Sequence, residues 1–206
     1  MEAKNRKNKP GKQAYETRTR RIAGQIRTNE TEGNPRIEAY FAVFGDKYQF
    51  ADGCYETIDP AAFDGQLNGD VRALIDHDTR LVLGRTKAGT LRLKADAHGL
   101  YGVIEINTED VDAMNLYARV KRGDVTQCSF GFEILDEEQR MEANGAVHFI
   151  IRKVKLYEVS VVTFPAYEDT IAAARSKSIR ESRSARLEAW KASMRSRLNA
   201  TKKHKN

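Results

Sequence analysis

The chain has 206 residues, of which 40% are hydrophobic and 31% charged, a length that suits one domain with appendages. No apolar run reaches about 18 residues, and no hydrophobic stretch follows the basic N-terminus, so we expect neither a membrane span nor a secretory signal. The two cysteines, Cys54 and Cys128, suit a reducing compartment. They make neither a disulfide framework nor a zinc site, and without metal- or nucleotide-binding motifs we expect no metal and no cofactor.

Basic residues are concentrated at the two ends of the chain. Residues 1–21 hold eight Lys or Arg and two Glu, a net charge of +6, and residues 171–206 hold eleven and two, a net charge of +9. The whole chain carries +6, so residues 22–170 carry −9. Because residues 1–33 contain almost no apolar side chains, we expect a disordered basic arm there, followed by one domain over residues 34–170.

The first half of this domain is predicted to consist of short strands. The segment RIEAYFAVFG at 36–45 is rich in β-branched and aromatic residues, which predicts a strand. In DPAAFDGQL, Asp59 and Pro60 predict the N-cap and the first residue of a short helix. Four further strands are predicted within residues 71–106, in VRALI, RLVLGRT, TLRLKAD and LYGVIEI.

The second half begins with an amphipathic helix, predicted from Glu109 to Arg122 and ended by Gly123. Two long strands follow, DVTQCSFGFEIL and VHFIIRKVKLYEVSVVTF, with a turn at Asn144-Gly145 between them. The pattern lacks a βαβ alternation. It predicts a β-rich α+β fold, a mostly antiparallel barrel or sandwich with accessory helices.

The C-terminal residues 171–206 are predicted to form a basic, helical tail. Leu187, Trp190, Met194 and Leu198 are separated by three, four and four positions, which places a narrow apolar stripe on that helix.

Two polar residues of the domain occupy strand or strand-end positions where apolar residues are more usual. His77 stands between Asp76 and Asp78 at the junction of two apolar runs, a pattern that is also typical of a surface loop. Ser129 precedes an aromatic–glycine–aromatic step. Adjacent strand residues face opposite sides, so Cys128 and Ser129 cannot both point into one site.

A third polar residue, Glu158, interrupts an apolar run. It shares its parity with Val154 and Leu156 and is therefore predicted to point inward. A buried carboxylate is costly unless it is paired, so we expect an imidazole to meet it, with a salt bridge to Arg152 or Lys153 as the alternative.

His77, Ser129 and Glu158 together supply a base, a nucleophile and a group that could orient the base. The order of the surrounding motifs adds support. ETIDPAAF, DHDTRLVLGRT, HGLYGVIEIN, CSFGFEI and LYEVSVVTFPAYEDT follow one another between about Arg36 and Thr170. This order resembles the prohead (capsid maturation) serine proteases of tailed phages.

The resemblance implies a barrel like that of herpesvirus assemblin and a serine endopeptidase activity. By motif, Ser129 would be the nucleophile and His77 the general base. Glu158 would be the third member, where assemblins have a histidine, and an acid there compensates the charge of His77 better. The resemblance also points to backbone amides as oxyanion donors, at Val162, Thr163 and Phe164.

The implied substrates are the scaffolding segment of the major capsid protein or a separate scaffold protein, and the protease itself. The implied place of action is the interior of the assembling prohead, in the host cytoplasm, without a membrane. Assemblin-like enzymes also suggest a homodimer. The basic tails fit either contact with acidic scaffold surfaces or nucleic acid, or removal by self-cleavage.

Two alternatives remain open at this level. The first is a non-enzymatic capsid-assembly or nucleic-acid-binding protein, which the tail charges favour and the inward-facing Glu158 does not. The second is a cysteine protease with Cys128 as nucleophile, because thiols need less activation than hydroxyls.

Overall fold

A computed structural model describes residues 16–20, 26–31, 34–164, 184, 188 and 190–195. Eleven strands lie in these residues: β1 Glu16–Arg20, β2 Ile26–Thr31, β3 Asn34–Val43, β4 Tyr48–Ala51, β5 Cys54–Ile58, β6 Arg72–Ile75, β7 Asp78–Arg85, β8 Leu91–Ala95, β9 Gly99–Glu105, β10 Gln127–Met141 and β11 Val147–Val162. The helix α1 spans Val111–Arg122, and short 3-10 helices span Pro60–Phe63 and Thr86–Ala88.

The strands pair into two sheets. The large sheet has the order β1-β10-β11-β5-β4, with β6 also paired to β11 and β7 to β6, and the small sheet has the order β2-β3-β9-β8. Seven of the nine pairings between described strands are antiparallel, as predicted, while β5 and β6 run parallel to β11. Both sheets are open among these strands, so the β-rich prediction is confirmed and the closed barrel is not.

One hydrophobic core draws side chains from both sheets and from α1. Its largest fully buried members on the large sheet include Phe130 and Phe132, whose rings stack with centroids 4.7 Å apart. Phe41 and Ile104 contribute from the small sheet, and Leu116 from α1. Burial of each such side chain stabilises the fold by about 1.5–3 kcal/mol, which fixes the strands that carry the polar residues of interest.

The ends of the two predicted helices follow their capping residues. Asp110 accepts hydrogen bonds from the first-turn amides of α1, and Gly123 ends the helix in the left-handed conformation with φ +87°. The predicted start at Glu109 is therefore two residues early. Asp59 caps the 3-10 helix by accepting from the amide of Ala61 at 2.9 Å, as predicted.

Two N-terminal segments are more ordered than predicted. Strands β1 and β2 lie within the stretch predicted to be disordered, residues 1–33, and this prediction is wrong for those two segments. β1 runs antiparallel to β10, with Thr19 opposite Ser129. Its sequence ETRTR lacks the apolar alternation by which strands are recognised, so the sequence pattern did not reveal it.

Most of the predicted C-terminal helix lies outside the described residues. Residues 184, 188 and 190–195 are helical, and the side chains of Trp190 and Met194 are exposed. Leu187 and Leu198 belong to the part that is not described. None of the described helices is long and apolar enough to cross a membrane.

Candidate active site

The hairpin of β10 and β11 brings Ser129 and Glu158 onto one face of the large sheet. Ser129 lies opposite Ser160, and Gly131 lies opposite Glu158. Directly opposed residues share a face, with Cβ atoms about 4.5–5.5 Å apart. Ser129 and Ser160 are fully buried and Glu158 is 4% exposed, which confirms the prediction that Glu158 points inward.

Strand β6 carries His77 to the same region. It runs parallel to β11, with Ile75 opposite Val161. The β6–β7 hairpin then turns through Asp76 and His77, between the paired residues Ile75 and Asp78. Both turn residues have positive φ, +47° and +61°, as a tight two-residue hairpin turn of type I′ requires. Because neither is glycine, the turn stores backbone strain, a feature that is concentrated at functional sites.

The turn is fixed to the end of β11 by Asp76. The amide of Asp76 donates to the carbonyl of Val161 at 3.0 Å. Its carboxylate accepts from the amide of Thr163 at 2.6 Å and from the hydroxyl of Thr163 at 3.0 Å. These three bonds hold the strained turn, and with it the imidazole of His77, against the strand that carries Glu158.

The imidazole of His77 meets the carboxylate of Glu158, as predicted from the cost of burying that carboxylate. Nδ1 of His77 lies 2.7 Å from Oε1 of Glu158. Since a carboxylate only accepts, Nδ1 carries the proton, and in the neutral ring Nε2 is left with a lone pair. Nε2 is buried and has no hydrogen-bond partner among the described residues. The arrangement therefore holds a base with its proton-accepting nitrogen unoccupied.

Arg152 and the two aspartates beside His77, which could have paired with Glu158 or His77, are engaged elsewhere. Arg152 pairs with Asp59 at 2.5 Å and with Glu138, so it does not serve Glu158. Of the two aspartates that flank His77, Asp76 bonds to Thr163, and Asp78 bonds to the guanidinium of Arg80 at 2.6 Å. The Arg80 side chain holds the pKa of Asp78 at about 2.

A family model of the caudovirus prohead serine proteases matches residues 23–184, which is most of the chain. The chain belongs to this family. It is accordingly a serine protease of phage capsid maturation, as the order of the sequence motifs predicted. No curated protein and no solved structure matches it.

The surroundings of Cys128 agree with a serine-type rather than a cysteine-type prohead protease. The thiol is completely buried, and desolvation raises its pKa far above the ordinary value of 9.0. The reactive thiolate is therefore disfavoured. Strand alternation also directs Cys128 to the opposite face of β10 from Ser129.

The predicted oxyanion segment of the prohead protease follows the end of β11. Val162 is buried, whereas Thr163 and Phe164 are exposed. The amide of Thr163 already donates to Asp76, which argues against an oxyanion role for this amide. The other two positions stay predictions.

Two residues near the pair were not singled out in the sequence. Ser160 donates from Oγ to Oε2 of Glu158 at 2.5 Å, and Asp76 holds the turn as described above. The parity rule that directed Glu158 inward applies equally to Ser160, two residues later, and could have found it. Nothing in the local sequence distinguishes the role of Asp76 from that of Asp78.

A second histidine of the prohead protease has a similar set of neighbours. Nε2 of His148 lies 2.7 Å from the hydroxyl of Thr57, and Nδ1 lies 3.6 Å from Oε1 of Glu142. The ring stacks on Tyr55 with centroids 4.4 Å apart. Here Nε2 is occupied and the carboxylate is beyond hydrogen-bond distance, so His148 is a suitable control for His77.

His148 should make the stability of the protein depend on pH. Burial is the main cause that lowers its pKa from 6.5, with Lys47 and Arg140 acting in the same direction and Glu142 opposing them. As the pH falls below 6.5, His148 is protonated in the unfolded chain before it is protonated in the folded protein. The free energy of unfolding therefore decreases as the pH falls, until the folded-state pKa is passed. Between pH 7 and pH 5, urea unfolding should show a smaller loss of unfolding free energy for His148→Gln than for the parent protein. An equal loss in both proteins would contradict this role.

The backbone at His77 predicts a difference in stability between two variants of this residue. His77→Ala and His77→Gly lose the same imidazole, but only glycine adopts a φ of +61° without steric cost. We expect His77→Gly to be more stable than His77→Ala by about 1 kcal/mol in urea unfolding. Equal stabilities would show that the turn relaxes once the imidazole is removed.

Proposed function

We propose that this prohead protease cleaves peptide bonds by acyl transfer, with Ser129 as nucleophile, His77 as general base and Glu158 as the group that orients His77. The observation that carries the proposal is the 2.7 Å contact between Nδ1 of His77 and Oε1 of Glu158. It leaves Nε2 buried with its lone pair free for a serine hydroxyl. Ser129 lies on the same sheet face, opposite Ser160, which is two residues after Glu158.

These three side chains and one water molecule account for every bond and proton of the reaction. Oγ of Ser129 forms a bond to the peptide carbonyl carbon while its proton passes to Nε2 of His77. Collapse of the tetrahedral intermediate breaks the C–N bond, and the imidazolium returns that proton to the leaving amine. Water then attacks the acyl-enzyme and loses a proton to His77. The ester C–O bond breaks, the imidazolium returns that proton to Oγ of Ser129, and the new carboxyl end is released. Glu158 stays ionised throughout and stabilises the imidazolium.

The developing oxyanion needs hydrogen-bond donors that are in place before the reaction. We assign them to backbone amides at and just beyond the end of β11, at Val162 and Phe164, since the amide of Thr163 is engaged by Asp76. The chain bends at this point, where residues 163 and 164 leave the strand.

The proposed substrates are the scaffolding segment of the capsid protein or a separate scaffold protein, and the protease chain itself. The proposed place of action is the interior of the prohead. The ends of the chain, with net charges of +6 over residues 1–21 and +9 over residues 171–206, would hold the enzyme near acidic scaffold or nucleic acid through long-range attraction. We also propose that the enzyme works as a homodimer.

The test is to label the protein with a fluorophosphonate and to follow intact mass while it is incubated with the phage capsid and scaffold proteins. We expect one adduct per chain, located on Ser129, and discrete cleavage that the label blocks and iodoacetamide does not. His148→Gln should label and cleave like the parent. Labelling at another residue, or cleavage blocked only by iodoacetamide, would overturn the assignment.

A further inference from the structure

We infer that Ser160 is a positioning residue of this active site: its hydroxyl holds the carboxylate of Glu158 in the orientation that pairs with His77. The inference rests on the proposed function and extends its Ser-His-Glu set by a fourth side chain. Ser160 belongs to the EVSVV motif, yet neither the family match nor the proposed mechanism gives it a role.

Each of the two oxygens of Glu158 accepts a hydrogen bond from a side chain. Oε1 takes the hydrogen bond from Nδ1 of His77 at 2.7 Å, and Oε2 takes the hydrogen bond from Oγ of Ser160 at 2.5 Å. Ser160 is fully buried and Glu158 nearly so. A buried carboxylate depends strongly on each donor it has, and a bond from a neutral hydroxyl to a charged group is about twice as strong as one between neutral groups.

The neighbouring strands do not offer a replacement for Ser160. On β10, Gly131 lies opposite Glu158 and has no side chain. On β6, Arg72 lies opposite Glu158, but its guanidinium is paired with the carboxylate of Asp70, at 3.4 Å. Loss of the Ser160 hydroxyl would therefore remove a hydrogen bond that restrains the terminal torsion of the Glu158 carboxylate.

The same geometry separates Ser160 from the nucleophile on the opposite strand. Its hydroxyl proton is directed to Glu158 rather than to His77, so Ser160 is not activated by the base. Ser129 and Ser160 are cross-strand neighbours with different tasks. A label that reports the activated serine can therefore read the effect of Ser160 without reacting with it.

The test measures the rate of fluorophosphonate labelling at Ser129 from pH 5 to pH 9 by intact mass. For Ser160→Ala we expect a rate about tenfold lower at neutral pH, because one charge-assisted hydrogen bond that orients the base is lost. We also expect the acidic limb of the rate–pH profile to move to lower pH, since a carboxylate that is no longer held in orientation stabilises the imidazolium less. Ser160→Thr, which keeps the hydroxyl, should recover most of the rate.

Val161→Ala is the matched control, because this fully buried neighbour on β11 faces away from Glu158. It removes packing and should leave the acidic limb in place. Wild-type rates and limb in Ser160→Ala would overturn the inference. The inference would also be overturned if Ser160→Ala lost as much labelling rate as Val161→Ala and the acidic limb of its rate–pH profile did not move. That result would indicate a merely structural role. If Ser160→Ala does not fold, Ser160→Cys, with its weak donor, takes its place with the same expectations. Absence of labelling in the wild type would instead refute the proposed function.

Discussion

Ser129→Ala is expected to abolish cleavage of the capsid and scaffold proteins, lowering kcat by roughly 10⁴–10⁶-fold. The variant removes the only atom that forms the acyl bond in the proposed mechanism, while binding and the backbone oxyanion donors stay. Ser129 is fully buried in a well-packed strand, and alanine fits its volume, so the fold should be preserved. Intact-mass spectrometry of the reaction products measures the loss directly.

The adjacent cysteine supplies the control for this prediction. Cys128→Ala should cleave within a few-fold of the parent, because Cys128 lies on the opposite face of β10 with its thiol protonated. Undiminished cleavage by Ser129→Ala together with loss in Cys128→Ala would reverse the assignment. Loss of cleavage in both folded variants would mean that the substitutions disturb β10, so the effect could not be assigned to the Ser129 hydroxyl.

Glu158→Gln should lower kcat by about 10³–10⁴-fold with little change in KM. The amide keeps the size of the side chain, but it cannot compensate the charge of the imidazolium, and its NH₂ group can turn toward Nδ1 of His77 and favour the wrong tautomer. The mutation also removes a charge from a buried position, so the free energy of unfolding need not fall. The kcat and KM values for one capsid-derived substrate separate these effects.

Glu142→Gln is the matched control for Glu158→Gln. It changes the carboxylate beside a second part-buried histidine of the described residues, His148, where the Nδ1–Oε1 distance is 3.6 Å. We expect full activity from this variant. A similar loss of kcat in both would indicate a general electrostatic effect, and an active Glu158→Gln would remove Glu158 from the mechanism.

Local chemistry in the sequence was enough to predict the pairing at the centre of the site. The parity of Glu158 in an apolar strand, combined with the cost of an unpaired buried carboxylate, predicted both its inward direction and an imidazole partner. The capping residues Asp59 and Gly123 likewise marked the ends of helical segments. These signals depend on a few neighbouring residues and do not require the topology.

The features that the sequence did not reveal depend on contacts between distant segments. The parallel pairing of β6 with β11 brings the turn at His77 to Glu158 across more than 80 residues, and no local pattern encodes it. Asp76 suits the first central position of a type I′ turn, but the positive φ at His77 runs against the preference for glycine at the second position. The proposed role of His77 as general base would account for an imidazole at this position of the turn.

The pairing of β1 with β10 has a consequence for how a polypeptide reaches Ser129. Residues 16–20 bond to the edge of β10 at residues 128–132, and each backbone group on an edge serves one strand at a time. A peptide that added to this edge would have to displace the chain's own segment, which competes at an effective concentration on the order of millimolar. Dilute peptides would lose that competition. Proteins packed at comparable density inside a closed shell would not, so that confinement itself would favour access to the active site.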